Sequence, residues 1–404
     1  MPETVENTAP RQLKVHHRGR FAQLGIYLGK MLRMFVYQND WKVLPMAALI
    51  AGLVGMVVRN MLCLSMEGTL TACFALVMVG IWNGCFNSIQ VICRERDVIK
   101  REHRSGMHIS TYVAAHMIYQ AILCLMQTGV TMYITRMVGV QYPAQGLFTR
   151  WMIVDIGISM FLITYAADMM SLWISCLAKN TTTAMTIMPF ILIFQLVFSG
   201  GMMSLPEWSR SFSGFTISNP GFKVLCTQCD YNNLPMTSLW NKVVAIWDQP
   251  VSATVTLGQA MDFLQNENTP EVRELRSKKV SELLPETEVE SSTQGLNLDP
   301  SMVSLMQDTT IGEIIDGIAG DPYVQANRDQ SYTFNSTIGR IIRMIGTEKV
   351  EHYLLYEVSG NSANPEYEQT RGNVGYYWFR LVGFALVFAA LSTITLEFID
   401  KDKR

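Results

Sequence analysis

The chain has 404 residues, of which 49% are hydrophobic and 16% are charged, and its formal net charge is -2. This composition is more apolar and less charged than that of an ordinary soluble protein. Several windows of about 20 residues carry almost no charge, and this is the length that spans a bilayer core.

The N-terminal region divides into two segments of different character. Residues 1–20 are polar and basic, and we expect them to form a flexible cytoplasmic tail. In residues 21–42, apolar side chains recur at helical spacing, and Lys30 and Arg33 interrupt them. This pattern predicts an amphipathic helix in the membrane interface, whereas the alternative is an ordinary helix that continues into the membrane.

Six apolar segments follow, and each predicts a membrane-spanning helix. Five of them lie in residues 43–204, and the sixth lies in residues 373–404 with a short C-terminal tail. The approximate spans are residues 43–60, 68–93, 107–135, 151–178, 182–204 and 374–398. The predicted fold class is membrane all-α, with six transmembrane helices, the N-terminal amphipathic helix and a large, mainly helical extracytoplasmic domain between helices 5 and 6.

The distribution of basic residues predicts how the chain is oriented. Sixteen lysines and arginines fall on the side of the two termini. The short loops of the other side hold only Arg59, Arg136 and Arg150. Because cytoplasmic loops carry an excess of basic residues, both termini are expected to be cytoplasmic.

Residues 205–372 form a long polar insertion between the fifth and sixth predicted spans. Within it, three related segments start at Thr256, Thr310 and Thr337, and each reads threonine, isoleucine or leucine, glycine, then an amphipathic run. Glu313 follows Thr310 at the spacing of a capping box, which marks a helix start. We therefore expect three short helices in a small extracytoplasmic domain.

No catalytic motif appears in the chain. The sequence lacks the GxxxxGKS/T phosphate loop, the HExxH zinc motif and a serine nucleophile elbow. We therefore expect that the chain is not an enzyme, that it holds no cofactor or metal, and that it has no nucleic-acid partner. Such a membrane protein either acts passively or takes its energy from another protein.

The stretch of residues 83–112 is densely charged in its middle and apolar at both ends, which predicts a cytoplasmic hairpin between two spans. Its notable residues, in order, are Asn83, Cys85, Phe86, Ser88, Glu95, Arg96, Arg101, Glu102, Gly106 and Tyr112. In this order they resemble the second span, the intracellular loop and the third span of ABC-2-type permeases, which include the G-subfamily ABC exporters.

Four other places resemble the same family. They are Lys30 to Asp40, similar to the family's connecting helix; Ser175 to Asn180, similar to the turn between spans four and five; Phe198 to Gly200 with Leu205 to Trp208, at the outer end of span five; and Ile217 to Pro220 after it. The resemblance covers about residues 21–225 and 372–400, and the external insertion is outside it.

The resemblance implies the permease subunit of an ATP-driven exporter in the plasma membrane. Its partners would be an ABC ATP-binding subunit, which carries ATP and Mg, a second transmembrane subunit, identical or a paralogue, and membrane lipid. A hydrophobic or amphipathic substrate would move outward by alternating access. The alternative from another class is a non-transporting membrane protein that displays residues 205–372 as a sensor or adhesion domain.

The resemblance also implies roles for two groups of side chains. Residues 95–105 correspond to the coupling helix that docks on the ATPase, and a solvated cytoplasmic turn is the alternative. The charged residues concerned are Glu95, Arg96, Lys100, Arg101, Glu102 and Arg104. Asn83 and Phe86 correspond to the wall of the substrate cavity. Met202 and Met203 follow the FSG motif, where some family members close the cavity with a leucine pair. For Phe86 the alternative is a lipid-facing position or core packing, and for the two methionines it is plain packing.

Two further pairs of residues attract attention. Cys226 and Cys229 lie in the external insertion, where disulfides are permitted. A local bridge, an intermolecular bridge and free thiols are all open, and we expect no second cysteine pair beside them that would complete a metal site. Asp155 and Asp168 lie within the fourth span, where acidic residues indicate a functional site unless water reaches them near the helix ends.

Overall fold

The computed structural model describes residues 19–37, 40–201, 211–266, 270–279, 282, 308–360 and 363–398, and the described part is mostly helical. The chain divides into two compact units. The first contains Met1–Trp240 and Glu351–Arg404, and the second contains Asn241–Val350. The predicted gate residues Met202 and Met203 lie outside the described residues.

The helices are numbered here in chain order. The first are α1 (Arg20–Tyr37), α2 (Val43–Val58), α3 (Met66–Ser88), α4 (Val91–Arg104), α5 (Ile109–Val138), α6 (Met152–Leu177), α7 (Thr181–Val197), α8 (Ser218–Gln228) and α9 (Thr237–Ala245). Next come β1 (Pro250–Thr256), α10 (Leu257–Gln265), α11 (Pro270–Ser277), α12 (Ile311–Ala319), α13 (Pro322–Ala326), β2 (Ser331–Thr337), α14 (Ile338–Ile345) and α15 (Thr347–His352). The last long helix is α16 (Arg371–Glu397).

Four stretches of the described chain are helical, long and apolar enough to cross a membrane. They are Met66–Arg104, which contains α3 and α4, and the helices α5, α6 and α16. α2 and α7 are apolar but have only 16 and 17 residues, and they coincide with the predicted first and fifth spans. The structure thus has the predicted helical membrane class, and the count of six spans stays a prediction.

α3 and α6 pack at the centre of the first unit, and glycine lets their backbones come close. A Cβ atom on Gly84 would lie 2.2 Å from the carbonyl oxygen of Thr164 and 2.9 Å from the amide nitrogen of Asp168. One turn earlier, a Cβ atom on Gly80 would lie 3.1 Å from Ile163 Cγ2. Small residues on one face of α3 therefore set the distance between the two helices.

The second unit contains a pair of strands that the sequence analysis did not predict. β1 and β2 are antiparallel, with Pro250 opposite Thr337 and Thr256 opposite Ser331. The pairing joins segments that are far apart in sequence, and neither segment alone shows a strand partner. Each strand ends in the threonine that starts the following helix.

The three predicted threonine-led helices are present as α10, α12 and α14. The side chains of Thr256, Thr310 and Thr337 accept hydrogen bonds from backbone N–H groups three residues later, at 3.2, 3.3 and 3.3 Å. The backbone N–H of Thr310 in turn donates a hydrogen bond to the Glu313 carboxylate, so the predicted capping box is confirmed.

The glycine in each of these segments allows a close approach of another part of the second unit. A Cβ atom on Gly339 would lie 2.1 Å from Trp247 Nε1, and one on Gly258 would lie 3.1 Å from Arg328 Nε. In the same way, a Cβ atom on Gly312 would lie 3.1 Å from the carbonyl oxygen of Arg276, near the end of α11. The three segments are therefore alike in structure as well as in sequence.

Candidate functional site

The charged block of the sequence forms α4, and one face of this helix is fastened to the end of α6. The first N–H groups of a helix have no partner within it, and those of Ile92 and the next residue donate to Ser175 Oγ at 3.1 and 3.2 Å. The Arg96 guanidinium donates to the carbonyl oxygens of Cys176 and Ala178 at 3.0 and 2.9 Å. Because a cation stabilises the free carbonyl groups at a helix C-terminus, Arg96 joins α4 to α6.

A second face of α4 meets α1 through charged groups. Lys30 Nζ lies 3.4 Å from a carboxylate oxygen of Glu95 and 4.0 Å from one of Glu102. Burial and the neighbouring Glu102 carboxylate raise the pKa of Tyr27 to about 12. The Tyr27 ring packs edge-on against Tyr112 of α5, with 5.5 Å between the ring centroids. α1 therefore binds α4 and α5 together.

A third face of α4 is exposed and carries charges of both signs. Its residues recur at helical spacing and are Arg94, Asp97, Arg101 and Arg104. We call these four residues the exposed face of α4. Of the six residues predicted to couple to an ATPase, Arg101 and Arg104 lie on this face and Lys100 borders it. Glu95, Arg96 and Glu102 lie on the two faces that contact α1 and α6.

Two adjoining cavities lie beside α3, and they share Phe86 and Met185. The apolar cavity, of about 330 Å³, lies between α3 and α7 and is also lined by Trp82, Met188, Pro189 and Leu192. The polar cavity, of about 240 Å³, is also lined by Asn87, Gln90, Arg94 and Gln120. The Phe86 side chain is 49% exposed, so it is available to both cavities.

Buried polar side chains stand behind the polar cavity. Asn87 and Gln127 exchange two hydrogen bonds, of 2.8 and 2.9 Å. Gln120 donates to Ser88 Oγ at 2.8 Å, while its own Oε1 is buried and has no hydrogen-bond partner among the described residues. A buried acceptor without a partner is costly. Gln120 is therefore a buried polar residue behind the wall of this cavity, with one acceptor that the described residues leave without a partner.

The two acidic residues of α6 have different surroundings. Asp168 is fully buried and accepts hydrogen bonds from Ser88 Oγ and from Cys124 Sγ, the latter at 3.2 Å. It is therefore linked through Ser88 to Gln120, which lines the polar cavity. Asp155 accepts three backbone N–H groups of residues 147–149, at 2.7, 2.9 and 3.0 Å. Asp155 organises the loop before α6, which gives it a structural reason to lie there.

Of the two predicted cavity residues on α3, the structure places one in the cavity lining and the other outside it. Phe86 lines both cavities, whereas Asn83 is buried on α3 and lies outside the lining of these two. The role of Asn83 as a cargo-binding residue stays a prediction. Trp82 and Gln120 are two lining residues that were not among the predicted site residues. The available signals were an aromatic residue one helical turn before Phe86 and a glutamine within an apolar run.

The predicted pair Cys226 and Cys229 is buried at the end of α8. Cys63 and Cys73 lie beside it, so a second cysteine pair is present where none was expected. Sequence spacing gave no sign of it because the two pairs are far apart in the chain. The structure shows all eight cysteines as thiols, and the local bridge stays a prediction.

Comparison with known proteins gives a family match for the part of the chain that holds these features. Residues 23–224, which are half of the 404 residues, match the family model described as ABC-2 type transporter. A similar protein is "ABC transporter ATP-binding/permease protein Rv1747" of Mycobacterium tuberculosis (strain ATCC 25618 / H37Rv). It is 25% identical over 182 residues, which cover 41% of this chain and 20% of that protein.

The chain thus spans about a fifth of the length of that relative. The family match, in contrast, begins in α1, ends in α8 and includes α4 and the residues that line both cavities. The resemblance seen in the sequence is therefore confirmed, and the chain belongs to the ABC-2 type transporter family.

Proposed function

We propose that the chain is the permease subunit of an ABC exporter, energised by a separate ATP-binding subunit that holds ATP and Mg. The observation that carries the proposal is the junction of α3 with α4. α3 ends at Ser88 and α4 begins at Val91, so Phe86 in the cavity wall is one short turn from the charged helix. A displacement of α4 would reach both cavities directly.

The exposed face of α4 is the proposed docking surface for the ATP-binding subunit. Charges of both signs orient a partner and exclude wrong ones more than they add affinity. The remaining faces of α4 contact α1 and α6, so a push on the helix would move these elements with it. Closure of the ATP-binding subunits would then open the cavities outward by alternating access.

Charge reversal on this face tests the docking surface. We expect the double variant Asp97→Arg, Arg101→Glu to retain at most about a tenth of the ATP-binding subunit that co-purifies with the wild-type chain. Like charges placed opposite one another cost several kcal/mol, and about 1.4 kcal/mol is tenfold in affinity. The control is Arg59→Glu, an exposed position between α2 and α3. Undiminished co-purification with the double variant would contradict the proposal.

The two cavities support a hydrophobic or amphipathic substrate. Methionine, proline and leucine side chains of the apolar cavity suit an apolar body, and methionine adapts to different shapes. The polar cavity next to it offers the side-chain amides of Asn87 and Gln90 to the polar end of a substrate. An amphipathic molecule could therefore occupy both cavities across Phe86 and Met185.

Truncation of the shared aromatic residue tests this substrate class. Phe86→Ala should remove most of the stimulation of ATPase activity by a panel of amphipathic dyes, because it removes a wall of both cavities. The matched control is Phe379→Ala, since Phe379 of α16 is also aromatic and is 76% exposed. Equal stimulation in Phe86→Ala and wild type, at equal expression, would remove the cavity assignment.

The proposal includes a second transmembrane subunit, identical or a paralogue. Phe190 and Ile193 of α7 are 71% and 58% exposed beside the apolar cavity, and such a subunit would cover them. Met202 and Met203 are proposed as the gate on the outer side. The bias of basic residues supports cytoplasmic termini in the plasma membrane. A fluorescent reporter fused to the C-terminus, active only in the cytoplasm, tests this orientation.

The compact unit Asn241–Val350 favours a second candidate function, the display of an external sensor or adhesion domain. A variant that lacks this unit separates the two functions. Under the transport proposal it still binds the ATP-binding subunit and still responds to dyes. If display were the whole function, no ATP-binding subunit would co-purify with the full chain.

A further inference from the structure

Four of the eight cysteines lie at the Met66 end of α3. Cys73 belongs to α3 itself, and Cys63 lies in the turn before it. Cys226 belongs to α8 and Cys229 follows its last residue. Three of these thiols are buried and Cys63 is half-buried. Three segments that are distant in sequence therefore bring their cysteines to one place.

One face of α3 explains why the cysteines meet. Thr69, Cys73 and Val77 recur every four residues and so share this face. Thr69 Oγ1 accepts the backbone N–H of Cys63 at 3.0 Å. A Cβ atom on Gly221 of α8 would lie 3.5 Å from Val77 Cγ1. Cys73 stands between these two contacts, so it faces the turn of Cys63 on one side and α8 on the other.

The direct interactions between the thiols form a row. Cys63 interacts directly with Cys229, Cys229 also with Cys73, and Cys73 also with Cys226, whereas the other three pairs interact only through longer-range electrostatics. Four cysteines allow three pairings. Only one of them uses all four thiols and joins neighbours throughout the row. A tetrahedral metal ion would instead need all four sulfurs at one point.

We propose that these four thiols form two disulfide bonds, Cys63–Cys229 and Cys73–Cys226, which join the turn before α3 and the end of α8 to the Met66 end of α3. Each bond forms by exchange with a disulfide oxidant, such as oxidised glutathione or an oxidoreductase disulfide. The two cysteine thiols lose two protons and two electrons, one S–S bond forms, and the oxidant is reduced to two thiols.

The surroundings of the thiols indicate when the bonds form. The interaction with Cys229 and burial raise the pKa of Cys63, and burial raises the pKa of Cys226. Since the thiolate is the attacking form, packed thiols of this kind exchange slowly. The bonds are therefore expected to form while the chain folds, before α8 packs on α3, and to resist reduction afterwards.

The experiment is a two-step alkylation of the full chain purified in detergent without reductant and incubated with oxidised glutathione. The protein is denatured and treated with N-ethylmaleimide, then reduced and treated with iodoacetamide, and its peptides are identified by mass spectrometry. We expect only four cysteines to take the first reagent, namely Cys85, Cys93, Cys124 and Cys176. Unreduced digests should contain the linked peptides Cys63–Cys229 and Cys73–Cys226.

Single substitutions test the pairing independently of the linked peptides. Cys63→Ser should add only Cys229 to the four cysteines that take the first reagent, and Cys73→Ser should add only Cys226. Cys85→Ser, on α3 outside the row, should leave both bonds in place. If a variant fails to fold, the wild-type peptide map still decides the question.

Three outcomes would overturn the proposal. If all eight cysteines take the first reagent, the thiols are free. A linked Cys226–Cys229 peptide would show the local bridge, and a dimer that reductant dissociates would show an intermolecular one. Because the pairing is read on the purified chain, its outcome does not depend on transport or on the ATP-binding subunit.

Discussion

The two ends of α3 are held in different ways. At the Ser88 end, α4 is held to α1 by ion pairs such as Lys30–Glu95, whose side chains are 35% and 18% exposed, and to the end of α6 by hydrogen bonds to the buried Ser175 hydroxyl. At the opposite end, the Glu67 carboxylate accepts the N–H groups of Thr237 and Ser238 at 3.2 and 3.1 Å, where α9 begins. The buried cysteines lie close to this second end.

These contacts differ in how easily they can change. Partly exposed ion pairs contribute about 0–1 kcal/mol each and are screened by salt, so they can change with little cost. Buried groups that lose their hydrogen bonds cost about 1–3 kcal/mol each. We infer that the contact of α4 with α1 is adjustable, whereas its hydrogen-bonded junction with α6 is held more firmly. A push on α4 would then move α6 and the Ser88 end of α3 together.

The largest expected effect comes from the middle of α3, where this helix crosses α6. Gly84→Ala places a methyl group against the backbone of Thr164, so we expect a loss of about 3 kcal/mol or more. Size-exclusion profiles and melting temperatures in detergent measure it. The matched control is Gly129→Ala on α5, since a Cβ atom there meets nothing within 4 Å. Equal stability of the two variants would contradict a fixed α3–α6 crossing.

A smaller effect is expected at the contact between α1 and α4. Lys30→Ala should lower stability by about 1 kcal/mol or less at low salt, and the loss should shrink as salt rises. Arg33→Ala, at an exposed position of the same helix, is the control. The charge swap Lys30→Glu with Glu95→Lys should recover part of the loss. A salt-independent loss would show that packing, rather than charge, holds α4 to α1.

Local patterns allowed much of the fold to be predicted. The apolar runs predicted α5, α6 and α16, and the helical periodicity of residues 21–42 predicted α1. The threonine caps predicted α10, α12 and α14, because a cap depends on residues only three apart. The charged block predicted a cytoplasmic hairpin, which the structure describes as the separate helix α4.

Features that depend on distant residues could not be predicted in this way. In the sequence, Arg96 is one of eight charged residues between positions 94 and 104. Only the fold reveals that α6 ends against its side chain. The pairing of β1 with β2 and the meeting of Cys63 with Cys229 likewise join remote segments. The family resemblance predicts that Phe86 lines the cavity, whereas the position of Gln120 beside the polar cavity follows only from the packing of α5 against α3. The missing information is therefore tertiary contact rather than local propensity.

The smallest expected effect concerns Tyr27 of α1, at the same contact with α4. Burial and Glu102 raise the pKa of Tyr27 to about 12 from its usual 10.0. The folded chain thus holds this proton more tightly than the unfolded chain does. Tyr27 therefore contributes stability that is complete below pH 10 and is lost as the pH rises to about 12.

Removal of the hydroxyl should make this pH dependence weaker. In Tyr27→Phe, the melting temperature should fall less steeply between about pH 10 and pH 12 than in the wild type. Tyr133→Phe is the control, because Tyr133 of α5 is 63% exposed and lies away from α4. The remaining tyrosines contribute equally to all three proteins, so the difference between curves isolates Tyr27. If the Tyr27→Phe curve is as steep as the wild-type curve, neither burial nor Glu102 raises the pKa of Tyr27 in the folded chain.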